Sequence, residues 1–306
     1  MQTKQTALLS FATPQLSDFS TLNQYLAPFR AGSMSCEATP ITLLMWNALY
    51  HQKIALFEDM LFVSLGEHQE YFLLPFAADL PRAVDILREY TAAQNIPLRF
   101  LAADGDRLDG FRAAFGDDFS ITESREDFEY LYRTEKLRDL SGKKFHAKRN
   151  HISAFSKTHT WQYESLSEDN VVEFIDTSDR WMSEMQALNG EDEGLLVENV
   201  AIKRLLPQFR RLGLRGGAIR VDGKLVAFTF GSAINNEVFD IHVEKALPDY
   251  RTAYSLINRE FIAHELQDFR YVNREDDMGL EGLRRAKLSY HPDILLKKYI
   301  VKEVAL

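Results

Sequence analysis

Cysteine is almost absent from this chain, whose 306 residues contain Cys36 alone. A single thiol excludes an internal disulfide framework and fits a reducing compartment. Nothing around Cys36 resembles a reactive-thiol motif, so we expect a small buried side chain. No stretch approaches the roughly 20 apolar residues that a membrane helix needs, and the N-terminus lacks a secretory pattern. We therefore expect a soluble, cytoplasmic protein.

Several catalytic and metal-binding motifs are also missing. The sequence has no GxSxG nucleophile elbow and no GxxxxGK[ST] phosphate loop, which disfavours hydrolase and nucleotide triphosphatase classes. The histidines are scattered, and His146 and His151 miss the HxxxH spacing, so no metal site is predicted. Positive charge is in deficit too. A net charge of -9 argues against a general nucleic-acid or anionic-membrane binder, although it permits a local basic patch.

What the chain does contain is enough apolar sequence for two ordinary domains. Each half is predicted to run hairpin, helix, strand, helix, strand, and interleaved strands and helices predict layered α+β sheets. Asp222-Gly223 is the strongest hairpin signal. Three further local predictions are a strand or short helix over residues 42–50, an acidic surface loop over 187–200, and one last strand over 295–301.

A basic stretch, residues 142–163, lies between the halves and contains no Asp or Glu. Phe145, Ile152 and Phe155 are spaced to share one helical face, which predicts an amphipathic helix. Such a helix could hold phosphates of RNA or of a nucleotide-linked substrate. Alternatively, it is a solvated helix that only connects the domains. The cations proposed to bind phosphate are Lys143, Lys144, Lys148 and Arg149.

A strand-to-helix connection over residues 240–254 is the first candidate for chemistry. Free N–H groups at a helix start attract anions, and Arg251 adds a positive charge beside Thr252 and Tyr254. An ordinary connection is the competing interpretation. Asp240 and His242 share one face of the strand, where a single histidine is more often a packed or surface residue than a base.

A second candidate is the polar run over residues 271–292, at the end of a predicted strand. Glu275 or Asp276 could accept a proton from an attacking amine, with Arg274 beside them. Arg284 and Lys287 are spaced to share a helical face and could bind a donor anion. Helix capping and weak surface ion pairs are the alternative explanation.

Two long stretches, KKFHAKRNHISAF and YVNREDDMGLEGLRRAKLSYHPD, resemble the soluble bacterial proteins grouped with the C-terminal domain of phosphatidylglycerol lysyltransferase. The resemblance implies a layered α+β fold of two tandem acetyltransferase-like (GNAT) domains joined by a basic helix. It places the domains at residues 1–140 and 161–306 and the helix at 141–160. It also implies kinship with the Fem transferases, which take amino acids from charged tRNA.

The sequence departs from the acetyltransferase pattern at two places. The acetyltransferase loop RxxGxG/A reads RTAYSL from Arg251, so both glycines that let backbone approach a pyrophosphate are missing. Arg285 stands where a tyrosine acid is often found. We therefore predict an acyltransferase that uses aminoacyl-tRNA, with a small-molecule or cell-envelope precursor as acceptor and no required cofactor. An acetyl-CoA-dependent N-acetyltransferase and a non-catalytic binding module are the alternatives.

Overall fold

The computed structural model describes residues 9–103 and 105–304. The helices are α1 Phe19–Arg30, α2 Pro40–Trp46, α3 Leu80–Gln94, α4 Asp106–Phe115, α5 Thr134–Asp139, α6 His146–Thr158, α7 Val171–Asn189, α8 Glu193–Leu205, α9 Phe209–Leu212, α10 Ala253–Glu265 and α11 Glu281–Leu288. The strands are β1 Lys53–Phe57, β2 Met60–Leu65, β3 Tyr71–Leu73, β4 Arg99–Ala103, β5 Phe119–Glu123, β6 Glu129–Arg133, β7 Trp161–Ser165, β8 Leu214–Val221, β9 Lys224–Ala233, β10 Val238–Ala246, β11 Tyr271–Asn273, β12 Ile294–Leu296 and β13 Lys298–Glu303.

Two mixed sheets organise these elements. The first has the order β1-β2-β3-β4-β13-β5, and the second has the order β12-β6-β11-β10-β9-β8-β7. Helices α3 and α4 cover the outer face of the first sheet around Phe72 and Phe100, whereas α5, α6 and α10 cover the outer face of the second around Phe239 and Val272. The layered α+β architecture predicted from the alternation of strands and helices is thus confirmed.

Each sheet contains a strand from the other end of the chain. The C-terminal β13 pairs with β4 and β5 in the first sheet, and β6 pairs with β11 and β12 in the second. The strand pairing therefore crosses the predicted division between residues 1–140 and 161–306. The single last strand predicted over residues 295–301 is wrong, because the chain changes sheets at Lys297 within a run that stays β-forming throughout.

One apolar core joins the inner faces of both sheets. Val63 and Leu73 from the first sheet belong to the same buried cluster as Phe228 and Val243 from the second, with side chains of α1, α2, α7 and α8 between them. Burial of this continuous core makes independent unfolding of the two sheets unfavourable.

The acidic stretch 187–200 is helical rather than a loop. Helix α7 runs to Asn189 and ends at Gly190, where φ is +87°. Asp192 then caps α8 by accepting a hydrogen bond from the N–H of Leu195. Because both helix ends are capped, the connection between α7 and α8 is three residues long. Residues 42–50, for which strand and helix remained open, begin as α2 because Thr39 caps a helix that starts at Pro40.

The basic stretch forms the predicted amphipathic helix over most of its length. Phe145, Ile152 and Phe155 are all buried against α10 and its neighbours, as their spacing predicted. After α6 ends at Thr158 the chain turns into β7, so the helix is shorter than residues 142–163.

Replacing Val301 by Ala tests the contribution of the borrowed strand β13. Val301 is fully buried, so losing two carbon atoms should lower the free energy of unfolding by about 2 kcal/mol. Val304→Ala is the matched control, since that side chain is 47% exposed and should change stability little. Denaturant unfolding followed by circular dichroism measures both. Equal effects of the two substitutions would contradict a buried role for β13.

Candidate active site

A cavity of about 390 Å³ opens between the first sheet and the turn that follows β11. Its lining combines aromatic, aliphatic and acidic side chains from both ends of the chain. The lining residues are Cys36, Glu37, Thr42, Trp46, Leu49, Tyr50, His51, Gln52, Leu65, Gly66, Tyr71, Leu73, Leu101, Ser124, Glu126, Asp127, Glu275, Asp276, Lys298 and Ile300.

Strands β10 and β11 separate after a short paired segment, and the polar side chains at this separation lie beside the cavity. The two strands pair only over Val238–Asp240 and Tyr271–Asn273, and then they separate. A β-bulge between Ile241 and Val243 shifts the register of β10 against β9. Since one extra residue reverses the alternation of a strand, Asp240 and His242 face the cavity side, whereas Glu244 faces α10.

On the cavity side, three ionisable groups meet. The Nδ1 atom of His242 lies 3.0 Å from Oε1 of Glu275 and 3.4 Å from Oδ2 of Asp240. Trp46 donates its indole N–H to the same Glu275 oxygen at 3.1 Å. Burial, and then the Glu275 charge, raise the pKa of Asp240 well above its usual range. The structure therefore brings the predicted Glu275 together with Asp240 and His242, which spacing alone did not join to it.

Asp276 follows in the same turn, half-buried in the cavity wall. Its Oδ1 accepts a hydrogen bond of 3.0 Å from the N–H of Met278. Burial raises the pKa of Asp276 to about 7. Lys287 holds the turn from behind, because its ammonium donates to the backbone carbonyls of Arg274 and Asp276. Lys287, which was predicted to bind a donor anion, is thus engaged by contacts within the protein.

A buried ion pair forms the floor of the cavity. Nζ of Lys298 lies 2.7 Å from Oε1 of Glu129, and their side chains are 3% and 1% exposed. Lys298 also pairs with Glu37, and Ser35 donates its hydroxyl to Glu129 at 2.8 Å. Burial opposes ionisation of Glu129, yet Lys298 and the hydrogen bonds around the carboxylate hold its pKa below the usual range.

Arg274 lies on the opposite side of the parted strands, away from the cavity. Its Nη2 atom donates to Oε1 of Glu244 at 2.8 Å, and the guanidinium stacks over the Tyr290 ring at 4.8 Å. The Arg274–Glu244 pair bridges β10 and β11 beyond their last paired residues. Lys148 joins this cluster with its ammonium 3.7 Å from the centre of the Tyr290 ring, and burial lowers its pKa to about 8.

The other predicted anion-binding residues are dispersed. Arg284 makes a bidentate contact of 2.8 and 2.7 Å with Asp277, which keeps the pKa of that carboxyl at about 2 although burial alone would raise it. Arg251 is exposed at the start of α10, and Thr252 is the N-cap without a side-chain hydrogen bond. Tyr254 packs against the apolar core behind the second sheet.

The basic helix divides in the same way. Lys143 and Lys144 are exposed in the turn that precedes α6. Arg149 instead donates to the backbone carbonyls of Leu140 and Gly142, so it closes the loop into the helix. Two of the four proposed phosphate ligands are therefore already engaged within the protein.

The sequence did not predict the site residues contributed by the first half of the chain or by β13. Trp46, Glu129 and Lys298 carry no local motif, because their meeting depends on the exchange of β6 and β13 between sheets. Cys36 was predicted to be buried, and it is. Its backbone N–H donates to Glu129 at 3.0 Å.

Two helix-covered mixed sheets with a parted strand pair define a tandem, GNAT-like, layered α+β fold. FemX shares this fold at a TM-score of 0.58 and 8% identity, with coverage of 92% of this chain and 94% of FemX. No helix among the described residues has the length and apolar character to cross a bilayer.

Residues 36–302 match the family described as phosphatidylglycerol lysyltransferase, C-terminal, and the chain belongs to that family. The C-terminal domain of a putative lysylphosphatidylglycerol synthetase from Agrobacterium fabrum superposes at a TM-score of 0.66 with 14% identity, covering 94% of this chain and 93% of that domain. A conserved protein of unknown function from Bacteroides thetaiotaomicron is 34% identical, with a TM-score of 0.85 and coverage of 97% of this chain and 100% of its own.

Replacing Lys298 by Met removes the cation from the cavity floor. Glu129 would then be a buried charge without its partner, which should cost about 3–5 kcal/mol of the free energy of unfolding. Because the pKa of Glu129 is lowered on folding, the stabilisation is present above about pH 4.3, its ordinary value, and is lost as the pH falls through the folded value. The deficit of the variant should therefore shrink in acid.

Two further variants give this measurement its controls. Lys297→Met changes the residue that precedes Lys298. This lysine pairs with Glu123 at the exposed surface, so its loss should change stability little. The double variant Lys298→Met/Glu129→Gln should recover part of the loss, since no uncompensated charge is left. A deficit that is equal at pH 7 and pH 3, or equal for the two lysines, would contradict the buried pair.

Proposed function

We propose that this protein transfers an aminoacyl group from charged tRNA to an amine or hydroxyl of a small-molecule or cell-envelope precursor. The observation that carries the proposal is an acidic cavity of about 390 Å³, built from both ends of a chain of this family, with the carboxyl group of Asp276 in its wall. The names of the family and of the Agrobacterium fabrum domain refer to lysyl transfer to a lipid, and we carry over only the transfer of an aminoacyl group.

The charge of the cavity favours an aminoacyl group over an acetyl group. Five carboxylates are among the described lining residues, whereas Lys298 is the lining ammonium and is already paired with Glu37 and Glu129. An aminoacyl ester carries an α-ammonium group that this negative potential attracts, and a lysyl ester carries a second. An acetyl group has no such charge. The lining carboxylates are Glu37, Glu126, Asp127, Glu275 and Asp276.

The chemical step needs little beyond positioning and proton transfer, because an aminoacyl ester is already activated. The amine or hydroxyl of the acceptor attacks the ester carbonyl, and a new C–N or C–O bond forms. Asp276 takes the proton from the attacking atom. The bond to the ribose oxygen then breaks, and the proton passes from Asp276 to that oxygen, which leaves as the free tRNA 3′ end. Glu275, held by Trp46, lines the same wall and contributes negative charge.

Acetyl-CoA is disfavoured as the donor by two features. The Arg274–Glu244 pair bridges the parted strands on the α10 side, and the loop from Arg251 lacks the glycines that would admit a pyrophosphate. A ligand that binds only the folded state must raise the melting temperature. Acetyl-CoA should therefore give no thermal shift, and a clear shift would favour the N-acetyltransferase alternative.

Incubation with a pool of labelled aminoacyl-tRNAs tests the activity directly. We expect protein-dependent loss of one or a few amino acids from tRNA above spontaneous deacylation when a cell extract supplies acceptors. Asp276→Asn should reduce that rate by about 10²–10⁴-fold, since the amide cannot accept the proton. Asp268→Asn, an exposed neutralisation outside the cavity, is the control. If no charged tRNA loses its amino acid, the proposal is contradicted.

Exposed cations near α6 provide the proposed tRNA contact. Lys143→Ala/Lys144→Ala should weaken tRNA binding and reduce the slope of log K against log salt by about one for each lost phosphate contact. Lys224→Ala/Lys302→Ala removes the same charge from two other exposed positions and should leave the slope unchanged. Filter binding at several salt concentrations measures both pairs. Identical slopes would remove this surface from the tRNA site.

A further inference from the structure

We propose that Asp240, His242 and Glu275 bind a divalent first-row transition metal ion at the inner wall of the cavity. One nitrogen and two carboxylate oxygens are available, and these three ligand atoms lie within 4.8 Å of one another. This site does not depend on the proposed aminoacyl transfer.

The spacing of the donor atoms matches coordination to one ion. Atoms about 2.1 Å from a common metal lie roughly 3.0 Å apart at a right angle and about 3.4 Å apart at the tetrahedral angle. The distances from Nδ1 of His242 are 3.0 Å to Glu275 and 3.4 Å to Asp240. These two distances allow one ion to contact His242 together with either carboxylate, and all three ligand atoms lie within 4.8 Å of one another.

Asp240 supplies the second, independent observation. Its side chain is 0% exposed, and neither carboxylate oxygen has a hydrogen-bond partner among the described residues. A buried carboxyl group without hydrogen bonds leaves its polar atoms uncompensated, and a bound cation would stabilise its charged form. The nearby lysines are engaged elsewhere, because Lys298 pairs with Glu129 and Lys287 donates to backbone carbonyls. A metal ion would satisfy Asp240 directly.

The surrounding groups orient the proposed ligands as an outer shell does. Nε2 of His242 lies 2.9 Å from Oγ of Ser232, so that nitrogen can carry the proton and leave Nδ1 free for the metal. Trp46 donates to Glu275 at 3.1 Å and fixes its carboxylate. Asp240 and His242 share one face as alternate residues of β10, and the bulge after Ile241 turns Glu244 to the opposite face.

The donor set also indicates the kind of ion. An imidazole with two carboxylates suits Zn²⁺ or Mn²⁺, whereas Mg²⁺ and Ca²⁺ prefer oxygen ligands alone. Glu275 lines the cavity and its side chain is 15% exposed, so a remaining coordination position would face the cavity. A bound ligand of the cavity could occupy that position.

Metal content is the direct test, with chelator-treated full-length protein dialysed against Zn²⁺ or Mn²⁺ and then analysed by mass spectrometry. We expect one ion per chain. Asp240→Asn and His242→Gln should weaken binding by at least about tenfold, and Ser232→Ala by about 10–100-fold through the outer shell. Asp276→Asn is the matched control, since it neutralises the adjacent carboxyl without removing a ligand atom. Circular dichroism establishes that each variant is folded.

Co²⁺ gives a readout that needs no variant. Its visible absorption should change on binding to the wild-type protein, and Zn²⁺ should compete that change away. Wild-type protein that binds neither ion and leaves the Co²⁺ spectrum unaltered would overturn the proposal, as would undiminished binding by folded Asp240→Asn. Because these readouts do not involve tRNA, failure here and failure of the aminoacyl transfer are distinguishable.

Discussion

The buried pair of Lys298 and Glu129 is the interaction on which the rest of the structure depends. Lys298 is the first residue of β13 and Glu129 is the first residue of β6, the two strands that exchange between the sheets. Because each charge would be costly to bury alone, the pair favours the arrangement in which both strands cross at one place. The cavity lies directly on this crossing, and its shape follows from the same constraint.

The bulge in β10 divides the charged groups between two surfaces. Without the extra residue, Asp240, His242 and Glu244 would all face one way, and three ionisable side chains would crowd the cavity. With it, Glu244 turns toward Arg274 and forms a closed ion pair, while Asp240 stays beside Glu275. One surface is thereby neutralised and stable. The other retains clustered carboxyl groups whose pKa values are raised by burial, which is typical of a functional site.

Local patterns predicted the elements of the fold well, because caps, turns and apolar spacing act over a few residues. The Asp222-Gly223 hairpin and the buried face of α6 illustrate this. Pairing across the chain has no such signature. Residues 294–303 are β-forming throughout, and nothing in them indicates that β12 and β13 enter different sheets. The predicted site therefore included Glu275 and Asp276 but lacked the residues that β6, α2 and β13 bring to them.

Whether a predicted cation is paired within the protein depends on how far its side chain is removed from water. An exposed lysine loses little when it is left in water, so Lys143 and Lys144 remain at the surface. A cation that is largely removed from water must find compensation within the protein, and Arg274 and Lys287 do so. Spacing cannot separate these classes, since both look alike as charges in a sequence. The distinction matters for function, because the cations that hold the acidic turn in place are unavailable to a substrate. The negative potential of the cavity is therefore maintained by the same contacts that keep its wall rigid.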